Sequence, residues 1–281
     1  MQTELRRRSA PQVTARISYG PGPHQFGELR LPEGPGPHPV VVIIHGGCWL
    51  SIADLTYMDH FAGTLNRAGW ATWSLEFRTI DQEGGGWPRI LEDVALGTDH
   101  LRHMAEEYPL STSRVVASGH SSGGHLALWL GARESLPHDL EGGPRLRGGD
   151  PLPLAGVVGL AAIADLADYT RYTRCGPTIV SDFLGEPVDP SSERFRLSDP
   201  GSLLPASAPQ LLLMGELDPI VPPSHGEHYT RRALESGQVV EVATVPGAGH
   251  FELVAPWTAP WEQVWERLGG FLRSVWEQGV R

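Results

Sequence analysis

Five consecutive β-branched residues, Val40-Val41-Val42-Ile43-Ile44, run straight into His45-Gly46-Gly47. A run without polar alternation suits a strand buried on both faces, and that happens where helices cover both sides of a parallel sheet. The rest of the chain agrees. Strand-length apolar stretches recur at Ala71 to Leu75, Arg114 to Ser118, Ala155 to Ala162, Gln210 to Gly215 and Gln238 to Val245. Helical patterns separate them: Tyr57 to Ala68, Trp87-Pro88 to about Glu107, the segment after the Ser121-Ser122 turn to about Leu130, Glu227 to Ser236, and Pro260 to Gln278. Val13 to Tyr19 and Phe26 to Leu31 read as an N-terminal strand pair joined through Gly20-Pro21-Gly22-Pro23-His24. This alternation predicts an α/β fold, a mostly parallel central sheet of about eight strands with helices on both faces.

The chain reads as a single domain over residues 1–281, with residues 1–11 flexible. Two stretches break the alternation. Glu141 to Pro153 is rich in Gly and Pro and reads as a surface connection. Residues 165–205 mix aromatics, Arg and Pro before the next strand, the composition of a small cap folded over a site, with a plain connecting segment as the alternative.

Charge and cysteine usage narrow the function classes. The formal net charge is -11, from 33 acidic and 22 basic residues. That balance argues against nucleic acid and against anionic membranes, both of which select a concentrated positive surface. Every basic residue is Arg, so no lysine is present to anchor a Schiff base. Cys48 and Cys175 are the two cysteines, far apart in sequence and in no metal-ligand spacing, which reads as free thiols in a reducing compartment. The N-terminal Arg run is followed by no apolar stretch, so a cytoplasmic protein is expected.

The chemistry concentrates in a few turns. Gly119-His120-Ser121-Ser122-Gly123 fits G-x-S-x-G once, between an apolar strand and an apolar helix. Glycines two residues either side of a serine allow the sharp strand-to-helix turn that exposes its hydroxyl. Ser121 is therefore the expected nucleophile, supported by Gly119 and Gly123, whereas Ser122 is expected to contribute only its backbone N–H. His45-Gly46-Gly47-Cys48-Trp49 follows the buried strand. There the amides of Gly46 and Gly47, with that of Ser122, are expected to form an oxyanion hole. His45 organises that loop by hydrogen bonding, with Trp49 as a further motif residue, and Cys48 reads as small packing.

A serine needs a base, and the base an orienting acid. Asp218 lies after Gln210 to Gly215, and His250 lies after Gln238 to Val245 in the glycine-rich Pro246-Gly247-Ala248-Gly249 turn. Asp218 is preferred over Glu216, which is closer to the strand end. His100/His103 and His225/His228 have helical spacing without a partnering carboxylate motif and read as surface residues, so no metal and no cofactor is expected. Arg78 reads as a structural ion-pair residue, with a substrate carboxylate clamp as the lesser alternative.

Together these motifs resemble the α/β-hydrolase superfamily, in the right order from Val40 to His250. Within it, His45-Gly46-Gly47-Cys48-Trp49 and Gly119-His120-Ser121-Ser122-Gly123-Gly124-His125-Leu126 are similar to the oxyanion and nucleophile turns of kynurenine formamidases. The first is also similar to the loop of hormone-sensitive-lipase-like esterases, which usually carry a third glycine at the position of Cys48. The resemblance implies metal-free hydrolysis through an acyl-Ser121 intermediate. A small carboxylic ester is the expected substrate, an aryl formamide the runner-up, and a non-catalytic ligand-binding protein on the same fold the rival. Acyl specificity and oligomeric state, including a possible homodimer, stay open.

Overall fold

The computed structural model describes residues 2–8, 11–137, 139–140 and 142–278. Eight strands form one sheet: β1 (Ala15–Ser18), β2 (Phe26–Arg30), β3 (His38–Ile44), β4 (Ala71–Leu75), β5 (Leu110–His120), β6 (Gly156–Leu160), β7 (Gln210–Gly215) and β8 (Val240–Val245). Their order is β1-β2-β4-β3-β5-β6-β7-β8. The pairs β1/β2 and β2/β4 are antiparallel and all others parallel, so the N-terminal strand pair caps one edge of a parallel sheet. Every residue of β3, β4, β6 and β7 is buried, as an unbroken apolar strand between helical layers requires.

Strand order matters because it sets where loops meet. β3 and β5 are neighbours, with Ile44 opposite Gly119, so the turns leaving both strands lie side by side. β7 and β8 are neighbours as well, which brings together the loops carrying Asp218 and His250. All four turns leave the carboxyl ends of parallel strands, where open α/β sheets hold their ligands. The helix Ser122–Ala132 is buried along its whole length, because it runs beneath the site between the sheet and the segment 165–205.

Some boundaries differ from expectation. The expected helix Trp87 to Glu107 is two, Arg89–Asp99 and Leu101–Glu107, divided by a tight turn in which His103 N–H bonds the His100 carbonyl. Tyr57 belongs to a short 3-10 turn, Leu55–Met58, capped by Asp54, before the helix Asp59–Arg67. Within the stretch expected to be flexible, Gln2–Arg7 is helical and Leu5 is buried, while residues 1, 9 and 10 lie outside the described residues. Residues 165–205 hold three short α-helices, Leu166–Tyr169, Ile179–Leu184 and Glu193–Ser198, and a 3-10 turn at Pro200–Leu203, anchored by buried Tyr169, Phe183 and Phe195. Among the described residues no helix is long and apolar enough to cross a membrane.

The cysteines are not free. Cys48 and Cys175, 127 residues apart, form a disulfide with their Cα atoms 5.6 Å apart. Sequence distance misled here because folding returns residues 165–205 to the loop after β3. The bridge removes the basis for inferring a reducing compartment from free thiols. It also ties that segment covalently to the glycine loop.

Closing so long a loop restricts the unfolded chain. Replacing both cysteines by serine is expected to lower stability by about 2–5 kcal/mol, read as a fall in the thermal midpoint. Thiol titration of the unreduced native protein should find no reactive cysteine; two titratable thiols would contradict the bridge.

Candidate active site

β5 ends at His120, and Ser121 then takes φ 58° and ψ −122° before the helix begins at Ser122. That conformation is strained for a residue with a side chain and costs on the order of 1–3 kcal/mol, which the surroundings must offset. Backbone hydrogen bonds do so: Ser121 N–H donates to Leu160 O, and Ser121 O accepts from His125 and Ile163. The flanking glycines are required by close approach. A Cβ on Gly119 would lie 2.0 Å from the Gly123 carbonyl oxygen, and one on Gly123 would lie 2.3 Å from the Ile44 and His45 carbonyl oxygens. The turn therefore packs directly onto the end of β3.

Asp218 and His250 meet as expected. His250 Nδ1–H donates to Asp218 Oδ2 at 2.6 Å, and Asp218 Oδ1 accepts from the amides of Ile220 and Val221. Burial alone would raise the Asp218 carboxyl, but the His250 hydrogen bond and charge, with those two amides, hold it below the usual range. Glu216 is exposed and accepts from the Gly247 amide instead. Ser121 and His250 line one cavity of about 170 Å³, with Gly47, Tyr57, Arg174 and Cys175 among its walls. Ser121 Oγ and His250 are not hydrogen-bonded here; catalytic pairs often close to that distance only in the substrate complex.

The loop after β3 departs from expectation at one amide. Gly46 N–H donates to the Tyr57 hydroxyl, so it is engaged and does not point free into the cavity. Gly47, at φ 115°, lines the cavity, and its amide and that of Ser122 remain the candidate oxyanion donors. His45 does organise the loop: Nδ1 faces the Gly46 carbonyl at 2.8 Å and Nε2 faces Glu76 Oε1 at 3.2 Å. Burial would raise the Glu76 carboxyl, yet the charge and hydrogen bond of His45, helped by the Leu55 and Phe77 amides, keep it lowered.

Ser122 does more than present its backbone. Its Oγ accepts the Trp49 N–H at 3.2 Å, pinning a loop in which Cys48 and Trp49 both hold positive φ. The Trp49 indole N–H donates to His125 Nδ1, its ring stacks on Phe183 at 4.7 Å, and His125 Nε2–H donates to Ser198 O. A second chain of bonds starts at Gly46: its N–H goes to Tyr57, the Tyr57 hydroxyl to His120 Nδ1 at 3.0 Å, and His120 Nε2–H to the His250 carbonyl at 2.9 Å. Tyr57, His120 and His125 were not singled out from sequence. His120 and His125 stand inside the nucleophile turn, but no motif announces Tyr57.

The remaining expectations divide. Arg78 is structural, making a paired contact with Asp93 through Nε at 2.8 Å and NH2 at 2.5 Å. His225, read as a surface residue, is fully buried, because Asp168 accepts from its Nδ1–H at 2.6 Å and its Nε2 accepts from the Ala164 amide. That second His–Asp pair has no free nitrogen with which to act as a base. Among the described residues no group of three or more His, Cys, Asp or Glu is placed to hold a metal ion.

The sequence profile of the family BD-FAE matches residues 29–232, well over half of the chain. Esterase LipC of Mycobacterium tuberculosis is 26% identical over 250 residues, 85% of this chain and 60% of LipC. Neutral cholesterol ester hydrolase 1 of Rattus norvegicus is 33% identical over 128 residues, 41% of this chain and 31% of that protein. The chain thus spans about three fifths or less of the length of these relatives. Among solved structures, a truncated carbohydrate esterase from gut microbiota superimposes with TM-score 0.77 at 20% identity, covering 98% of this chain and 99% of the other. Esterase B of Lactobacillus rhamnosis gives TM-score 0.81 at 14% identity, over 99% and 91%. These likenesses show an α/β-hydrolase fold.

Two outcomes follow from the hydrogen bonding. Ser122→Ala, which keeps the amide but frees Trp49 N–H, is expected to lower kcat/KM about tenfold, the worth of one buried hydrogen bond; steady-state kinetics on whichever substrate is turned over reads this. Burial pushes His120 and His125 from 6.5 down to about 3. The unfolded chain therefore binds protons that the folded chain refuses, and stability falls as pH drops from about 6.5 towards 3. Each imidazole adds up to about 1.4 kcal/mol per pH unit to that slope. His125→Gln should flatten it by about that amount in denaturant titrations; an unchanged slope would contradict the buried neutral state.

Proposed function

The chain belongs to the BD-FAE family, and from that premise we propose that it is a serine hydrolase cleaving small carboxylic esters through an acyl-Ser121 intermediate. The observation that carries this reading is the Asp218–His250 hydrogen bond at 2.6 Å beside a cavity that Ser121, held in a strained turn, also lines. Asp218 fixes the proton on His250 Nδ1, leaving Nε2 as the base. His250 takes the Ser121 proton as Oγ attacks the ester carbonyl, and the resulting oxyanion accepts from the Gly47 and Ser122 amides. His250 then gives the proton to the departing alcohol, and a water activated by His250 releases the acid.

Substrate class follows from size and from the relatives. A cavity of about 170 Å³ suits a short acyl group. Relatives named as an esterase and a cholesterol ester hydrolase support an ester over an aryl formamide. Short p-nitrophenyl esters are therefore expected to be hydrolysed with higher kcat/KM than N-formylkynurenine. The reverse preference would restore the formamidase reading.

Ser121→Ala is expected to cut kcat roughly 10⁴-fold or more, and Asp218→Asn by roughly 10³–10⁴-fold, the loss that follows when the histidine takes the wrong tautomer. Ester turnover in folded Ser121→Ala close to wild type would overturn the assignment.

A further inference from the structure

Among the described residues a single cation stands at a cavity that otherwise carries no permanently charged side chain. Among the described residues Arg174 is the one Arg, Asp or Glu lining the space shared by Ser121 and His250; the other walls are glycine, aliphatic, aromatic, histidine and the two bridged cysteines. Among the described residues Arg174 makes no ion pair and no hydrogen bond. Its neighbour Arg171 is different, held by Asp168 at 2.5 Å. The acid closest to the chemistry, Asp218, is committed to His250 and two backbone amides.

Arg174 is also held in place. The next residue, Cys175, is bonded to Cys48, which follows the candidate oxyanion donor Gly47. Tyr169 adds a contact from its hydroxyl to Cys175 Sγ at 3.3 Å. The backbone bearing the guanidinium is thereby fixed relative to the point where the ester carbonyl would lie. A charge at the rim of a largely apolar cavity concentrates the opposite charge there, even on a chain of net charge -11. A planar guanidinium matches a carboxylate with two parallel hydrogen bonds.

We propose that Arg174 is a specificity-determining residue that binds a carboxylate on the substrate, so that the preferred esters are small and carry a second, free carboxylate. This rests on the ester-hydrolase reading. The carboxylate belongs to the part of the ester that reaches the cavity mouth, whether the acyl or the alcohol part. Because Arg174 is exposed, its pairing is screened by water, and the expected effect is several-fold rather than thousands-fold.

The test compares matched esters in the intact, disulfide-bonded protein. On the acyl side the pair is mono-p-nitrophenyl glutarate against p-nitrophenyl pentanoate; on the alcohol side it is 4-acetoxybenzoate against phenyl acetate. The expected result is that, in at least one pair, the kcat/KM ratio of anionic to neutral ester falls about three- to tenfold in Arg174→Gln, mainly through KM, and is largely restored in Arg174→Lys. A ratio changed less than twofold in both pairs, or a Lys variant no better than Gln, overturns the proposal. Failure of the wild-type protein to hydrolyse any of the four esters overturns the ester-hydrolase reading itself, and the assignment of Arg174 with it.

Discussion

The close approach of the turn after β5 to the end of β3 governs the site. No side chain fits at Gly119 or Gly123, because carbonyl oxygens of Gly123 and of Ile44 and His45 occupy the space. That crowding forces Ser121 into positive φ and starts the helix at the next residue. The same approach puts the loop from His45 to Trp49 within reach of Ser122, so one packing constraint positions both the candidate nucleophile and the candidate oxyanion donors. Parallel pairing of β3 with β5 makes the approach possible, and the fully buried helix behind it leaves the turn little room to relax.

Two side-chain networks hold the remaining pieces to this turn. One runs from Gly46 through Tyr57 and His120 to the His250 carbonyl, linking the glycine loop to the loop of the candidate base. The other runs from Ser122 through Trp49 and His125 to Ser198, linking the turn to the segment 165–205. His120 and His125 serve these roles as neutral rings: burial pushes both down to about 3, so each offers one donor and one acceptor at neutral pH. Buried polar groups that are fully paired in this way favour one arrangement over its neighbours. The Cys48–Cys175 bridge adds a covalent link between the same two regions.

Local pattern made most of the fold legible. The β-branched run at Val40 to Ile44 announced a buried parallel strand, and the remaining strands fell within a few residues of their apolar stretches. Asp218 and His250 were readable because each follows a strand in an order that α/β sheets reuse, and the structure joins them by a hydrogen bond. What stayed hidden depends on contacts between distant segments. The disulfide joins residues 127 apart, the Tyr57 hydroxyl reaches Gly46 from a short turn, and the Ser122 side chain finds Trp49 across the strand order. Periodicity reports which face of an element is buried, not which partner meets it there. His225 looked like a surface histidine for that reason, since Asp168 and Ala164 arrive from another part of the chain.

The central claim is that Ser121, and not Ser122 beside it, is an activated nucleophile. Labelling the native protein with a fluorophosphonate and locating the adduct by peptide mass mapping tests it most directly. The account predicts one adduct, on the Ser121 hydroxyl, with labelling strongly slowed in His250→Ala. No adduct on the folded protein, or an adduct on Ser122, would contradict it.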